Sequence, residues 1–171
     1  MGETFPNFLS KDAHKHLHDA MCGPGHADKF YWLYSPKVSN EINPNDDEFF
    51  FGHTLYHSGA KGWKSHVSPF YDELAAPILG AFRFEWIFRI RCNLYTNTGG
   101  QQKHEFHRDT DFDHNVLIYS LNTNNGYTEF EDGEKIESVA NQAVIFNGKR
   151  KHRSVTQTDS KIRVNVNIVF R

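Results

Sequence analysis

The sequence predicts a mainly β fold, a sandwich or barrel preceded by a helical and loop-rich support region. Three observations predict it. From residue 82 to the C-terminus, short strand-like runs follow one another with no helical periodicity between them, and such a succession closes into packed sheets or a barrel. Asn125-Gly126, Asp132-Gly133 and Asn147-Gly148 punctuate these runs, and such pairs tolerate the backbone of tight hairpin turns. The last run alternates cleanly, with Arg163, Asn165 and Asn167 on one face and Val164, Val166, Ile168 and Phe170 on the other. At 171 residues a single domain, 1–171, is expected, with support region 1–81 and β core 82–171. Fifteen Phe, seven Tyr and three Trp supply the apolar volume for a core.

The first element is a helix. Ser10 can cap it, Asp12 places a carboxylate in its first turn, and Leu9, Ala13, Leu17 and Ala20/Met21 recur at helical spacing. Gly23-Pro24-Gly25 ends it. His14 and His18 stand four apart on this helix, but no third metal ligand is near in sequence, so they are read with His16 as polar surface. Residues 30–66 mix aromatics with turn formers such as Asn43-Pro44-Asn45-Asp46-Asp47, and read as loops that shape a lid or substrate entrance, with Tyr56, His57 and Trp63 as candidates. A second helical region opens at Ser68-Pro69, a cap followed by a proline suited to the first helical position, and runs through Leu74 to Ile78 with an interruption at Pro77. The strand-like runs are then 82–95, 116–121, 127–130, 143–146 and 162–170. An Arg-Asn-Asn row is costly to point into a dry core, so the polar face of the last run is expected to meet solvent or a polar pocket.

Net charge is −2 with His neutral and pI is near 6.6, which argues against a nucleic-acid partner, since such binding needs several phosphate-neutralising cations. The local basic run Lys149-Arg150-Lys151-His152-Arg153 reads as a solvated loop. Two cysteines make no disulfide framework and fit a reducing compartment, with Cys92 expected as a small buried hydrophobe. No apolar signal core opens the chain and no stretch approaches the length of a membrane span.

The residues that carry chemistry lie late in the chain. His107-Arg108-Asp109 is an H-x-D triplet, His152 follows Asp109 by 43 positions, and Arg163 follows His152 by 11. Positions i and i+2 of an extended segment face the same side, so His107 and Asp109 offer two ligands together. His152 comes after the run 143–146 and its turn, at the start of the next strand, and supplies a third. Two histidines and one carboxylate on one face of an iron leave the opposite face open, the facial triad of non-haem Fe(II) oxygenases, although zinc or copper would also bind the set. Arg163 gives a flat, permanently charged fork suited to the far carboxylate of an oxo-acid cosubstrate. A chain of this composition should show about 0.7 H-x-D triplets by chance, and His26-Ala27-Asp28, in a helix-stopping turn with no strand pattern beside it, is read as that coincidence.

These residues stand among further pieces in a fixed order: Asn93-Leu94-Tyr95, His107-Arg108-Asp109-Thr110-Asp111, Ile118-Tyr119-Ser120-Leu121-Asn122, Asn125-Gly126-Tyr127-Thr128-Glu129-Phe130, Ala143-Val144-Ile145-Phe146, His152 and Arg163. Together they make the chain from Asn93 onward resemble the Fe(II)/2-oxoglutarate-dependent oxygenase superfamily, on its prolyl 4-hydroxylase-like branch with small bacterial and bacteriophage members. The resemblance implies a double-stranded β-helix (jelly-roll) core with N-terminal helices packed on one sheet. It implies Fe(II) held by His107, Asp109 and His152, and 2-oxoglutarate chelating that iron while Arg163 holds its 5-carboxylate. Tyr95 and Asn93 would be further cosubstrate contacts, and O2 the co-reactant. The implied activity is hydroxylation of a protein or peptide residue such as proline, or of a small molecule, with succinate and CO2 as co-products. The implied location is cytoplasmic (host cytoplasm if phage-encoded), without a membrane partner.

Some positions depart from the family pattern. Ser120 stands where relatives often carry a tyrosine whose hydroxyl reaches the cosubstrate. Arginine at 163 replaces the lysine usual in collagen-type prolyl hydroxylases. The paired glycines before Thr128 appear as Asn125-Gly126. Two other readings stay open on the residues alone. An AlkB-like nucleic-acid oxygenase would also carry Asn93-x-Tyr95, and salt-dependent DNA or RNA affinity would mark it. A non-catalytic metal-binding jelly-roll module, or a cupin-like metal protein, would bind metal without consuming 2-oxoglutarate. Substrate identity and oligomeric state are not written in the chain.

Overall fold

The computed structural model describes residues 2–23, 30–36, 48–62 and 64–171. Its elements, in chain order, are β1 (Glu3–Phe5), α1 (Lys11–Cys22), β2 (Leu33–Ser35), β3 (Phe50–His57), β4 (His66–Val67), α2 (Tyr71–Leu74), α3 (Ala76–Ala81), β5 (Ile87–Thr96), β6 (Asn115–Ser120), β7 (Asn124–Phe130), β8 (Lys135–Ser138), β9 (Gln142–Asn147), β10 (His152–Val155) and β11 (Ile162–Phe170). The larger sheet runs β1-β9-β6-β11-β5-β3-β2, with β4 paired to β3, and the smaller runs β10-β7-β8. Every one of these pairings is antiparallel. The fold is thus mainly β, as expected.

The two-residue period of a strand explains how this sheet serves two environments. On one face, Ile90, Cys92 and Leu94 of β5, Val164, Val166 and Ile168 of β11, and Leu117 and Tyr119 of β6 join Leu17, Ala20 and Met21 of α1 and Leu74 and Ile78 of α2 and α3 in one apolar cluster. The N-terminal helices therefore pack on one sheet, and Cys92 is the buried hydrophobe its run predicts. On the other face, Val116 and Ile118 of β6 and Val144 and Phe146 of β9 meet Phe130 and Ile136 from the smaller sheet. That second apolar cluster stops short of β5 and β11, whose opposite-face residues are Arg89, Arg91, Asn93, Tyr95, Arg163, Asn165 and Asn167. A polar cavity occupies the space left there.

Several local expectations hold. Ser10 accepts a bond from the Ala13 amide at the start of α1, and the helix ends at Cys22, where the Gly23 amide reaches the Asp19 carbonyl. The Asp132-Gly133 turn joins β7 to β8, with Gly133 at φ +86° donating to the Phe130 carbonyl. The basic run, by contrast, is not a solvated loop: His152 and Arg153 open β10, and Lys149 meets Asp113, Arg150 meets Asp132 and Glu134, Lys151 meets Glu131, and Arg153 meets Glu129.

Others need correction. The segment read as loops contains β3, which pairs with β5 over most of its length. Its sequence, Phe50-Phe51-Gly52-His53-Thr54-Leu55-Tyr56-His57, hides the strand because both faces are covered and the polar members are satisfied internally. His53 donates Nδ1–H to the Tyr31 carbonyl at 2.9 Å, so its Nε2 accepts from the Ser68 hydroxyl at 2.7 Å. Ser68 does not cap the helix: its hydroxyl accepts from the Phe70 amide at 3.2 Å, ahead of α2, which begins at Tyr71 with no side-chain cap, and Pro77 sits in the first turn of α3 instead of interrupting a helix. Residues 82–86 are not strand; Phe82 and Phe84 leave α3 to pack edge-on against Phe170. Asn125-Gly126 lies inside β7 at a register shift and makes no hairpin turn. His14 is only partly surface, its Nδ1 lying 2.6 Å from the Tyr119 hydroxyl. His26-Ala27-Asp28, Asn43-Pro44-Asn45-Asp46-Asp47, Pro24-Gly25 and Trp63 lie outside the described residues. Among the described residues, no helix is long and apolar enough to cross a membrane.

Candidate metal and cosubstrate site

His107 and Asp109 come from the segment between β5 and β6, and His152 opens β10. Two backbone bonds bring them together: the His107 amide donates to the His152 carbonyl at 2.9 Å, and the His152 amide returns to the His107 carbonyl at 3.0 Å. One ligand atom from each of His107, Asp109 and His152 then lies within 4.8 Å of the others. The ring nitrogens are already sorted. A carbonyl can only accept, so His107 donates Nδ1–H to the Glu105 carbonyl and His152 donates Nδ1–H to the Arg150 carbonyl, each at 3.2 Å. Both Nε2 lone pairs are thereby left for a metal, the orienting arrangement that metal-bound histidines usually show.

The carboxylate is sorted in the same way. Arg89 donates to Asp109 Oδ1 and to Asn167 Oδ1, while Asp109 Oδ2 is buried with no hydrogen-bond partner and lies 3.5 Å from His152 Nε2. A buried acceptor without a donor is costly, and an ion at the triad would satisfy it. The donor set and the orphaned oxygen therefore fit a divalent cation. Burial by itself would raise the Asp109 pKa, but Arg89, His152 and His107 hold it well below the usual carboxylate range. Burial lowers the His152 pKa, against the pull of Asp109. Both ligands are thus in their metal-binding protonation states near neutral pH.

Arg163 sits on β11 opposite Tyr95 of β5 and is 2 % exposed. Its Nε donates to the Ser138 hydroxyl at 2.8 Å and its Nη2 to the Thr128 hydroxyl at 3.2 Å, and its Nη1 has no partner. Burial pulls its pKa down from the ordinary arginine value, and no carboxylate among the described residues balances its charge. The guanidinium lies 5.3 Å from the Tyr95 ring. Tyr95 and Thr128 line the polar cavity together with His107, Asp109, His152, Asn93, Asn165 and Asn167. Tyr95 shares a bond with the Ser154 hydroxyl at 2.8 Å, and Asn93 donates to Asn165 at 3.0 Å. Five of the six residues singled out from the sequence, the three candidate ligands with Tyr95 and Asn93, line one cavity, and Arg163 is buried behind its wall, bonded to the lining Thr128. Ser120 is buried beside Asn165 in register but is not part of the cavity wall.

The sequence reading missed Arg89, Arg91, Ser138 and Ser154. For the two arginines a signal existed: Arg89, Arg91, Asn93 and Tyr95 alternate with Phe88, Ile90, Cys92 and Leu94 on β5, the same pattern that exposed the Arg163 row. It also mistook Gly126. A Cβ there would stand 2.7 Å from Arg163 Cδ and 2.9 Å from the Val155 carbonyl oxygen, so glycine is required for the close approach of the arginine stem.

No protein-family model matches the chain, and no curated protein matches it. Solved structures do. A prolyl hydroxylase from Trichoplax adhaerens, in complex with a hypoxia inducible factor oxygen degradation domain peptide fragment, is similar over 99% of this chain and 82% of its own, at TM-score 0.63 and 9% identity. A Pseudomonas putida prolyl-4-hydroxylase is similar over 99% of this chain and 92% of its own, at TM-score 0.58 and 16% identity. An oxidoreductase of the 2OG-Fe(II) oxygenase family from Burkholderia pseudomallei is similar over 84% of this chain and 74% of its own, at TM-score 0.57 and 8% identity. At such identities the likeness is one of architecture: this chain has the jelly-roll fold of the 2OG-Fe(II) oxygenases and prolyl hydroxylases.

Proposed function

We propose that the protein is an Fe(II)- and 2-oxoglutarate-dependent oxygenase that hydroxylates a protein or peptide residue, such as proline, or a small molecule. The observation that carries this reading is Arg163: a guanidinium buried without a carboxylate, one nitrogen unpartnered, bonded to Thr128 in the wall of the cavity lined by His107, Asp109 and His152. A triad alone would suit many metal proteins. A triad with an unbalanced arginine directly behind the wall of the same cavity suits a metal whose co-ligand is itself an anion.

In this reading His107 Nε2, Asp109 Oδ2 and His152 Nε2 hold the iron, and Arg89 keeps the second Asp109 oxygen from also binding. Arg163 takes the 5-carboxylate of 2-oxoglutarate through Nη1, with Ser138 and Thr128 fixing the fork. Tyr95 and Asn93 line the path between. Iron with 2-oxoglutarate and O2 supplies the oxidising power, releasing succinate and CO2, and the protein contributes position and enclosure. The fold neighbour from Trichoplax adhaerens is a prolyl hydroxylase in complex with a peptide fragment, which supports a peptide as one substrate class.

The test is the visible metal-to-ligand charge-transfer band of the anaerobic Fe(II) protein with 2-oxoglutarate. The native protein is expected to show it and His152→Ala to lose it while staying folded. Well-folded, iron-loaded native protein without the band would sink the oxygenase reading and leave a metal-binding module.

A further inference from the structure

The cavity contains one cation that the reaction proposed above does not employ. Arg91 projects from β5 on the same face as Arg89, Asn93 and Tyr95 and lines the same wall. Arg89 is engaged by Asp109 and Asn167. Arg91 forms no ion pair or hydrogen bond among the described residues; its guanidinium rests 4.5 Å from the centroid of the Phe50 ring. Burial, with Arg89 beside it, pulls its pKa down to about 10, so it is still charged near neutral pH.

The surroundings keep that fork flat and open. Phe50 lines the cavity too and stacks on Tyr95, with ring centroids 6.0 Å apart. A Cβ at Gly52 would lie 3.1 Å from Arg91 Nε, 3.2 Å from Nη2 and 3.1 Å from the Phe50 ring. A side chain at position 52 would push the guanidinium or the ring aside by a few tenths of an ångström. An arginine stacked on an aromatic face keeps its N–H edge free for a planar acceptor.

Arg91 is also placed apart from Arg163. Arg163 pairs with Tyr95, whereas Arg91 pairs with Asn167, a four-residue displacement of about 13 Å along β5. One ligand carboxylate held at Arg163 therefore leaves Arg91 unengaged. Among the described residues lining the cavity, two guanidiniums, Arg89 and Arg91, against the single Asp109 carboxylate leave one positive charge in excess, and a divalent metal with a dianionic cosubstrate does not change that balance.

We propose that the molecule hydroxylated in this cavity carries a carboxylate, and that Arg91, on its Phe50 platform beside Gly52, binds it. This rests on the oxygenase reading for the word hydroxylated, but not for the binding. A carboxylate fits better than a phosphate. One free fork matches one planar, singly charged group, whereas a phosphate dianion needs more donors than this wall offers. The carboxylate can be the main-chain group of a free amino acid or an acidic side chain of a peptide.

The experiment is nuclear magnetic resonance of the arginine Nε–H groups in the full chain loaded with Zn(II) and saturating 2-oxoglutarate. Arg91→Met assigns the Arg91 signal, with Arg91→Gln as the substitute if the first fails to fold. The probes are acetate, L-proline, N-acetyl-L-glutamate α-amide, inorganic phosphate and acetamide. Acetate is expected to move the Arg91 signal saturably, with a midpoint below about 100 mM, and acetamide to leave it in place. Tighter binding of L-proline or of the glutamate derivative then identifies the main-chain or side-chain source. Failure of acetate to move the signal, an equal response to acetamide, or phosphate binding at least about tenfold tighter than acetate overturns the proposal. Addition of 2-oxoglutarate to the Zn(II) protein separately reads the Arg163 signal. If that signal does not move, the oxygenase reading fails while the acetate titration still decides Arg91.

Discussion

Arg163→Met separates a residue kept for a ligand from one kept for the fold. Methionine fills much of the arginine stem without a charge or a donor. Three terms decide the stability of the unliganded protein. Removing the unpartnered Nη1 relieves a buried, unsatisfied donor, worth about 1–3 kcal/mol. Removing the guanidinium also withdraws donors from Ser138 and Thr128, at a net cost of about 1 kcal/mol for each bond. Replacing a buried charge by an apolar group of similar volume tends to be neutral or favourable. The terms cancel to within about 2 kcal/mol, which for a chain of this size is a Tm within about 8 °C of the native protein. The ligand effect is far larger. Losing the carboxylate's partner should weaken 2-oxoglutarate by about 3–5 kcal/mol, roughly 150- to 4,000-fold. The assay is thermal unfolding of the Zn(II) protein with and without 2-oxoglutarate. At a concentration about 100 times its Kd, the cosubstrate should stabilise native protein by about 2.7 kcal/mol. At that same concentration the variant should gain less than about 0.4 kcal/mol. An unliganded variant destabilised by more than about 3 kcal/mol would show that Arg163 serves the fold, and an undiminished ligand-induced shift would show that the cosubstrate binds elsewhere. Either result refutes the reasoning.

Gly126→Ala should act on the same arginine from behind. Its new Cβ meets the Arg163 stem and the Val155 carbonyl at under 3 Å, so a loss of about 1–3 kcal/mol in chemical denaturation with weaker 2-oxoglutarate binding is expected, and a native-like midpoint would show that β7 can move aside. His104 is fully buried, both its ring nitrogens lack partners, and burial, then Arg163 and His107, push its pKa down to about 4. Below its ordinary value of 6.5 the unfolded chain binds a proton that the folded protein refuses. The stability contributed by neutral His104 is therefore complete above that value and is lost as pH falls toward 4, by up to about 3 kcal/mol. His104→Phe should flatten that part of the stability–pH curve, and a curve parallel to the native one would assign the slope to other groups.

The architecture was legible where a strand separates two environments. β11 announced itself because its apolar face meets the helices and its polar face meets the cavity, so period two survives in the residue names. β5 carries the same signature in Arg89 to Tyr95, and reading it as one long run from residue 82 hid which of its residues share a face with Asn93. β3 was illegible for the opposite reason: it is covered on both sides, and its His53 reads as polar although its hydrogen bonds are internal. The cluster of His107, Asp109 and His152 was legible because metal chemistry restricts candidate ligands to few residue types, and because two of them stand two apart in an extended segment. The groups that hold Arg163 were not, since Ser138 and Thr128 are ordinary hydroxyls until the register of β7 against β8 and the missing side chain at Gly126 bring the guanidinium to them. The asymmetry has a physical origin. Residues chosen for what they do to a ligand are constrained in type and show in a sequence. Residues chosen for where they place another side chain are constrained by distance, and distance is supplied only by the folded chain.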